Sequence, residues 1–437
     1  MTEKLWCPLP WTHLAVKNNG TLRMCSHSQS GGNKNTVLIK DSKELTIEDL
    51  NTVDAMNSDN LKQVRRDFLE GNWPEQCRRC ERETAAGHRA RNIWETERHL
   101  DTFTYEQALA TTAIDGTIEN PEIQSFDLRV GNQCNLRCVM CFPGEATKWY
   151  KDYKEITGED TFGVDNKTYS LDPKDSDFDW IRSEIKVESL VRASTHLNKI
   201  KFGGGEPVII KKHHDIIRRL VEEGYAKDIE LEYSVNITVF PPELFDLWKQ
   251  FKKIKICASL DAIGTADEAI RYPTRWSDVE NNLTMLDQLG EKFEIFTSTT
   301  ISILSLEHYA NTLLWIQSKD YQKINRNVHS VSASHPVYAP HYLNIAILEQ
   351  RHIDEIFLDL EQQVMASPYN AVLKSAILNK IMFYNNYYKL MKIAGPEVII
   401  YRKQFADRFY RFANNQKQDW DTIFPKAARI AQEWKNL

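Results

Sequence analysis

The chain lacks a long hydrophobic segment. No stretch of 18 consecutive apolar residues occurs, so no transmembrane helix is predicted. The opening residues MTEKLWCPLPW lack the apolar core of a secretory signal peptide. A net charge of −6 over 437 residues provides no general positive field, which argues against a nucleic-acid-binding protein. We therefore expect a cytoplasmic protein whose partners include neither a membrane nor a nucleic acid.

Cysteine is scarce, and its eight occurrences are unevenly spaced. Disulfide frameworks suit small secreted domains, whereas this chain is long enough for two or three domains and is expected in the cytoplasm. Clustered cysteines in that setting indicate metal binding. They form a group of four, a group of three and a single residue: Cys7, Cys25, Cys77 and Cys80; Cys134, Cys138 and Cys141; and Cys257.

The group of three has the spacing C-x3-C-x2-C, and its number is as informative as its spacing. A cubane iron–sulfur cluster has four irons, each of which takes a thiolate ligand. Three cysteines therefore leave one iron open, and an open iron can bind and activate a small molecule.

Strand and helix patterns alternate along the chain from this group onwards. The strand pattern IQSFDLRVG runs into the group of three. After a polar insertion at about 158–176, the strand patterns NKIKFGGG, DIELEYSVN, KIKICASLD and FEIFTSTT are each followed by a helical pattern, and NVHSVSA ends the series. Such alternation predicts parallel strands with right-handed crossovers. Because six strands are too few for a closed eight-stranded barrel, we predict an α/β fold with a partial (β/α)6 barrel and a site at the carboxyl ends of its strands.

Three of these strands end in residues suited to a charged ligand. NKIKF ends in Gly203–Glu206 (GGGE), where consecutive glycines allow close backbone approach and the carboxylate suits an ammonium group. KIKICASLD ends in Ser259 and Asp261, and Arg271 follows, whose guanidinium can bind a carboxylate through two hydrogen bonds. Asn236 ends the strand between them.

Together these motifs resemble the radical S-adenosylmethionine (radical SAM) superfamily. In that family three cysteines hold a [4Fe–4S] cluster, and its open iron is chelated by the amino and carboxylate groups of SAM. The resemblance implies that GGGE holds the SAM amino group, that Ser259 and Arg271 hold its carboxylate, and that Asn236 faces its ribose. The position before the third cysteine, usually aromatic and near the adenine, is a methionine here. The residues thereby implied in SAM binding are Met140, Phe142, Gly203, Gly204, Gly205, Glu206, Asn236, Ser259, Asp261 and Arg271.

The same resemblance implies a reaction. An external one-electron donor of the flavodoxin or ferredoxin type reduces the cluster on Cys134, Cys138 and Cys141, which are the catalytic residues in this assignment. Reduction cleaves SAM to methionine and a 5′-deoxyadenosyl radical, which abstracts a hydrogen atom from the substrate. The cofactors supply the difficult chemistry, while the protein orients the substrate and excludes water.

The group of four has the pattern C-P-x-x-W and G-x4-C, then R-x5-G-x2-P-x2-C-x2-C, in which Arg65 fits the count and Arg66 lies beside it. This resembles the SPASM/Twitch auxiliary-cluster domains and implies one auxiliary [4Fe–4S] cluster on these four cysteines. The pattern precedes the barrel and lacks further downstream cysteines, so it is closer to the short Twitch form. A four-cysteine zinc site is the alternative, because zinc takes the same thiolates. An iron–sulfur cluster with four thiolates has no open iron and would accept electrons without binding substrate, which suits net-oxidative chemistry.

These motifs define the predicted domains, which are 1–95 for the auxiliary-cluster domain, 96–121 for a linker, 122–335 for the radical SAM partial barrel and 336–437 for a mainly helical C-terminal region. Aromatic and basic residues interleave in the last region, as in YNNYYKLMK and YRKQFADRFYRF. Two interpretations stay open for it: a helical cap that packs its aromatic face on the barrel, or a clamp for a polyanion or a peptide.

Cys257 lies two residues before Ser259, so alternation places both side chains on one strand face. A buried free cysteine serves as a small hydrophobic residue in one interpretation. In the other, it relays a radical or donates a hydrogen atom.

The function predicted from these features is a radical SAM enzyme that oxidatively modifies a peptide or protein side chain, as auxiliary-cluster relatives often do. Radical SAM modification of a small metabolite, sugar or nucleoside is a second hypothesis. A non-catalytic iron–sulfur or zinc scaffold is the third, and it requires neither the GGGE segment nor Arg271.

Overall fold

The computed structural model describes residues 5–28, 36–87, 89–165, 167–175, 178–324 and 333–437. The chain divides into two compact units. Unit 1 comprises residues 1–133, 161–234 and 241–254, and unit 2 comprises residues 134–160, 235–240 and 255–437.

Twelve strands occur among the described residues: β1 His13–Val16, β2 Leu22–Arg23, β3 Ile39–Lys40, β4 Lys43–Glu44, β5 Ser125–Arg129, β6 Thr161–Val164, β7 Lys167–Ser170, β8 Lys199–Gly203, β9 Glu230–Val235, β10 Lys253–Ser259, β11 Phe293–Ile301 and β12 Ala333–Pro336. Eight of them form one sheet in the order β12-β11-β10-β9-β8-β5-β1-β2. Strand β2 is antiparallel to β1, whereas β1, β5, β8 and β9 pair in parallel, as do β11 and β12. The predicted α/β class is therefore confirmed.

The helices of the described residues are α1 Leu9–Thr12, α2 Thr52–Met56, α3 Asp59–Leu69, α4 Arg78–Ala85, α5 Arg91–Arg98, α6 Tyr105–Thr111, α7 Trp149–Thr157, α8 Glu184–Arg192, α9 Lys211–Glu222, α10 Pro242–Trp248, α11 Gly264–Ile270, α12 Trp276–Asp287, α13 Ile303–Leu306, α14 Tyr309–Ser318, α15 Gln350–Ala366, α16 Ala371–Met391, α17 Pro396–Gln416, α18 Trp420–Ile423 and α19 Pro425–Trp434. Helix α9 shows why they form: Ile216, Ile217 and Leu220 are buried on one side, while Arg218 and Glu222 are exposed. Among the helices that the structure describes, none is long and apolar enough to cross a bilayer.

Five of the six predicted strands are confirmed, as β5, β8, β9, β10 and β11. The sixth prediction, NVHSVSA, lies outside the described residues except for Ala333, which begins β12. Strands β1 and β2 are not predicted by the sequence. Strand β1 has four residues and pairs with β5, whose first residue, Ser125, lies 112 positions after His13. Local periodicity carries no information about such a distant pairing. The predicted domain boundaries and the partial barrel stay predictions.

Unit 1 contains a buried group of charges between β8 and β9. The ammonium groups of Lys199 and Lys201 lie 2.6 Å and 2.9 Å from the carboxylate oxygens of Glu232. Burial alone would raise the pKa of Glu232, but the two lysines hold that pKa well below its usual value. The triad is therefore a charged pairing that the fold keeps away from water.

Replacing Glu232 by glutamine is expected to lower the free energy of unfolding by about 3 kcal/mol at neutral pH, because two lysines lose their buried partner. The difference from the wild type should shrink on acidification. A carboxylate with a lowered pKa contributes stability above its unfolded-state pKa and loses it as the pH falls through the folded-state pKa. Urea denaturation across a pH series measures both effects.

The matched control is Asp246→Asn, since Asp246 is an exposed partner of Lys249. This control is expected to change the stability by less than about 0.5 kcal/mol. Equal stability of Glu232→Gln and the wild type at neutral pH would contradict the prediction.

Candidate functional site

The GGGE turn, residues 203–206, packs against the residues that lead into Cys134. The N–H of Gly205 donates to the carbonyl oxygen of Gly131, and the N–H of Glu206 donates to that of Gln133, each at 2.8 Å. Gln133 directly precedes Cys134 in the chain. The turn at the end of β8 therefore fixes the backbone at the point where the chain enters the group of three cysteines.

This close contact explains the three glycines. Gly204 has a φ of +95°, and a Cβ placed on it would lie 2.6 Å from the carbonyl oxygen of Gly131. A Cβ on Gly205 would overlap the carbonyl group of Gln133, and one on Gly203 would lie 2.6 Å from the guanidinium of Arg129. Neighbouring backbone atoms thus require glycine at positions 204 and 205, whereas at position 203 the neighbour is the movable end of the Arg129 side chain. The role of Glu206 and its neighbours in binding the SAM amino group stays a prediction.

The three predicted cluster ligands lie on one loop of unit 2, the cysteine loop, residues 134–141. Cys138 is buried, and Cys134 and Cys141 are partly exposed. A hydrogen bond to Cys141 lowers the pKa of the Cys138 thiol to about 7, against the effect of burial, and Arg271 lowers it further. The backbone N–H of Leu136 donates to the sulfur of Cys134 at 3.4 Å. Of the three thiols, those of Cys138 and Cys141 are in direct contact.

Arg137 holds the cysteine loop in place, a role that its sequence position did not indicate. Its guanidinium binds Asp152 at 2.9 Å and lies over the rings of Trp149 and Tyr272. The indole N–H of Trp149 in turn donates to the carbonyl oxygen of Cys138 at 3.1 Å. An arginine between two predicted ligand cysteines is unremarkable in the sequence, so only the contacts reveal that Arg137 supports the loop.

Arg271 is brought to the cysteine loop by backbone pairing. The N–H groups of Arg137 and Val139 donate to the carbonyl oxygens of Tyr272 and Ile270, the two neighbours of Arg271. These distant parts of the sequence therefore meet within unit 2.

The Arg271 side chain is held by Asp261 at one nitrogen, Nη1, at 2.8 Å. Asp261 is fully buried, and its second oxygen accepts the N–H of Thr300 at 2.7 Å. The Nε of Arg271 is buried and has no hydrogen-bond partner among the described residues. Asp261 thus uses both carboxylate oxygens within the fold, while Arg271 keeps a buried donor, Nε, for a further acceptor.

The remaining predicted SAM contacts differ in their surroundings. Asn236 is buried next to the cysteine loop, where its amide N–H donates to Asn135 at 2.8 Å and its oxygen accepts from the Thr238 hydroxyl at 2.7 Å. These bonds give Asn236 a structural role, and its ribose contact stays a prediction. The other three positions, all partly exposed, are Met140, Phe142 and Ser259.

The four N-terminal cysteines line a single cavity in unit 1. Cys7 precedes α1, Cys25 follows β2, and Cys77 and Cys80 lie at the start of α4. Burial raises the pKa of every one of these thiols, that of Cys80 to about 12. The other residues lining the cavity are Leu9, Pro10, Met24, Phe68, Trp73, Arg91 and Asn92. The structure therefore brings together the four thiols that the sequence groups.

Arg65 anchors helix α1, which begins two residues after Cys7. Its buried guanidinium donates to the carbonyl oxygens of Pro10 at 2.9 Å and Gly116 at 2.7 Å, whereas Arg66 is partly exposed. Of the two adjacent arginines in the pattern, Arg65 is thus the one that supports the cysteine cavity.

A second set of potential metal ligands includes Cys80. Ligand atoms of His27, Cys80 and Glu83 lie within 4.8 Å of one another, and Glu83 also pairs with Arg79 at 2.8 Å. Zinc accepts such mixed nitrogen, oxygen and sulfur ligands, but this set contains only one of the four cysteines and therefore differs from the predicted four-cysteine zinc site.

The C-terminal helices bury much of their aromatic content. Tyr384, Tyr387 and Tyr388 of α16 are buried, as are Phe405 and Phe409 of α17. Burial of the aromatic face favours the helical-cap interpretation over the clamp. Cys257 is also buried, as expected for a small hydrophobic residue.

A scan against protein-family models found no matching family, and a search of curated proteins found no significant match. The radical SAM and SPASM/Twitch resemblances therefore stay predictions that these two comparisons do not test.

Replacing Gly205 by alanine is expected to lower the free energy of unfolding by about 2 kcal/mol, because the added methyl group would overlap the Gln133 carbonyl. Gly290→Ala is the matched control, since nothing lies within 4 Å of a Cβ at that position. The control should stay within about 0.5 kcal/mol of the wild type. Chemical denaturation of the metal-free chains measures both, and equal effects would refute the packing argument.

Proposed function

We propose that this chain is a radical SAM enzyme that binds a [4Fe–4S] cluster on the cysteine loop and SAM on the open iron. One observation within unit 2 carries the proposal: backbone hydrogen bonds hold the cysteine loop against the segment that carries Arg271. Three thiols that could bind a metal therefore lie next to a guanidinium that could bind a carboxylate.

The residues present fit both groups. Three thiols on one loop suit a cluster that leaves one iron for another ligand. The buried Nε of Arg271, which lacks a hydrogen-bond partner among the described residues, would gain one from the carboxylate of SAM. When bound, the cluster and SAM supply reductive cleavage of SAM to methionine and a 5′-deoxyadenosyl radical.

The chain's own contribution is positioning and exclusion of water. Asp261 orients Arg271, and Arg137 and Trp149 fix the cysteine loop. A rigid loop keeps the ligand geometry ready before the cofactor binds, which lowers the cost of ordering it.

The parallel strands are proposed to form the partial (β/α)6 barrel of a radical SAM enzyme, in the cytoplasm. The four thiols sharing one cavity support an auxiliary [4Fe–4S] cluster as an electron acceptor. The corresponding substrate is a peptide or protein side chain that undergoes net oxidation. An external one-electron donor of the flavodoxin or ferredoxin type completes the proposal.

Anaerobic reconstitution tests the proposal directly. We expect about eight irons per chain for two clusters, and release of 5′-deoxyadenosine from SAM with dithionite as reductant. Cys138→Ala should abolish this release because one cluster ligand is lost. Cys257→Ala is the matched control, a buried cysteine outside both groups, and should retain it. Iron binding without any 5′-deoxyadenosine from the wild type would favour the scaffold hypothesis.

The auxiliary site is tested by the double variant Cys77→Ala/Cys80→Ala. We expect about four irons per chain and retained cleavage of SAM, because the cysteine loop is intact. Metal analysis by mass spectrometry and product detection by chromatography measure these outcomes. A wild-type content of about four irons and one zinc would replace the auxiliary cluster by a zinc site. Loss of all iron from the double variant would contradict two independent sites.

A further inference from the structure

The cavity of the four N-terminal cysteines has one charged side chain in its lining among the described residues, that of Arg91. Its other non-cysteine walls are mostly apolar, including Leu9, Met24 and Phe68. Placing four thiolates in such a cavity concentrates negative charge where water cannot solvate it. That charge needs a cation at close range.

The charge to be compensated is the same for either metal. Four thiolates around a [4Fe–4S] core of charge about +2 leave a net charge of about −2, and four thiolates around Zn²⁺ leave the same. The metal centre therefore carries excess negative charge whichever metal is bound. We propose that Arg91 is the counter-ion of this tetrathiolate centre, a positioning residue that strengthens metal binding and raises the reduction potential of the auxiliary cluster. This inference rests on the proposed function for the presence of a metal at the four cysteines.

The surroundings of Arg91 hold its guanidinium in one place. It donates to the Ser26 hydroxyl at 2.6 Å, next to Cys25, and lies 3.3 Å from the Glu95 carboxylate. It also lies 3.8 Å from Asp127 on β5 and over the ring of Trp94. The side chain is buried, so it cannot turn to solvent as a surface arginine does.

The two carboxylates do not cancel the charge of Arg91, because each has another cation. Glu95 also lies 3.6 Å from Arg98, and Asp127 lies 3.5 Å from Arg129. Three guanidinium groups therefore share two carboxylates. One positive charge therefore remains in this group. Among the described residues, Arg91 is the member of the group that lines the cavity, so we assign that charge to Arg91.

The group also ties the cavity to the GGGE turn. Asp127 and Arg129 lie on β5, and the Arg129 guanidinium packs where a side chain on Gly203 would stand. A metal at the four cysteines would thus be connected to the end of β8 through the buried residues Arg91 and Asp127 and the partly exposed Arg129, all of them within unit 1.

The test uses the reconstituted holoprotein and the variants Arg91→Gln, Arg91→Lys and Arg98→Gln. Arg98 is the matched control, because it shares helix α5, the Glu95 carboxylate and the Trp94 ring but does not line the cavity. Two quantities are measured: metal affinity by competition with a chromophoric chelator, and the midpoint potential of the auxiliary cluster by redox titration.

Arg91→Gln should weaken metal binding at this site tenfold or more. It should also lower the reduction equilibrium constant about tenfold, which is about 59 mV toward negative potential for one electron. Arg91→Lys keeps the charge and should lie nearer the wild type. Arg98→Gln lets Glu95 offset part of the Arg91 charge, so it should shift both quantities in the same direction but by less than Arg91→Gln does. An Arg91→Gln variant with unchanged affinity and unchanged potential overturns the inference.

Arg91→Gln alone leaves the Glu95 carboxylate buried beside a neutral group, and this variant could therefore fail to fold. A second pair of variants covers that case. The double variant Arg91→Gln/Glu95→Gln is compared with Glu95→Gln, so that only the charge of Arg91 differs between them. The double variant should bind metal tenfold more weakly than the single variant, and equal affinities overturn the inference.

Failure of the inference is distinguishable from failure of the proposed function. A wild-type chain that binds neither iron nor zinc at the four cysteines defeats the inference and the auxiliary cluster, whereas a wild-type chain that releases no 5′-deoxyadenosine from SAM defeats the proposed function. A wild-type chain that binds zinc there removes the auxiliary cluster, and the chelator competition still decides the role of Arg91. Metal binding that is indifferent to Arg91 defeats the inference alone.

Discussion

Two backbone hydrogen bonds, from Gly205 and Glu206 to the carbonyl oxygens of Gly131 and Gln133, set the position at which the chain enters the cysteine loop. They form only because Gly204 and Gly205 have no side chains to separate the two backbones. Both hydrogen bonds lie within unit 1, and Gln133 is the residue that directly precedes Cys134 in the chain. Glycine here is a requirement of protein packing, whether or not a ligand also exploits the exposed backbone.

A second constraint recurs in both units: a buried arginine stands beside a group of cysteines and is held by carboxylates. In unit 1, Arg91 is held by Glu95 and Asp127, and in unit 2, Arg271 is held by Asp261. A buried guanidinium is costly unless it is paired, so these carboxylates stabilise it and fix its direction. The arrangement makes positive charge available where thiolates, or the carboxylate of a ligand, would need it.

Much of the fold followed from local sequence patterns. Strands β5, β8, β9, β10 and β11 were predictable because alternating apolar residues and the intervening helical patterns are properties of short segments. Strand β1 was not, because its pairing with β5 joins residues more than a hundred positions apart. The candidate site shows the same division. The cysteines could be grouped by spacing, but the supporting roles of Arg137 and Arg91 could not be predicted.

The sequence by itself determined which residues are candidate metal ligands and that the chain alternates strands with helices, since ligand spacing and periodicity are written in neighbouring residues. Only the tertiary structure decided that the four N-terminal thiols share one cavity and that Arg65, rather than Arg66, supports it. It also decided that Asp261 pairs with Arg271 through one carboxylate oxygen and accepts the N–H of Thr300 with the other. The physical reason is that burial and charge pairing arise between residues far apart in the chain, and folding alone brings them together.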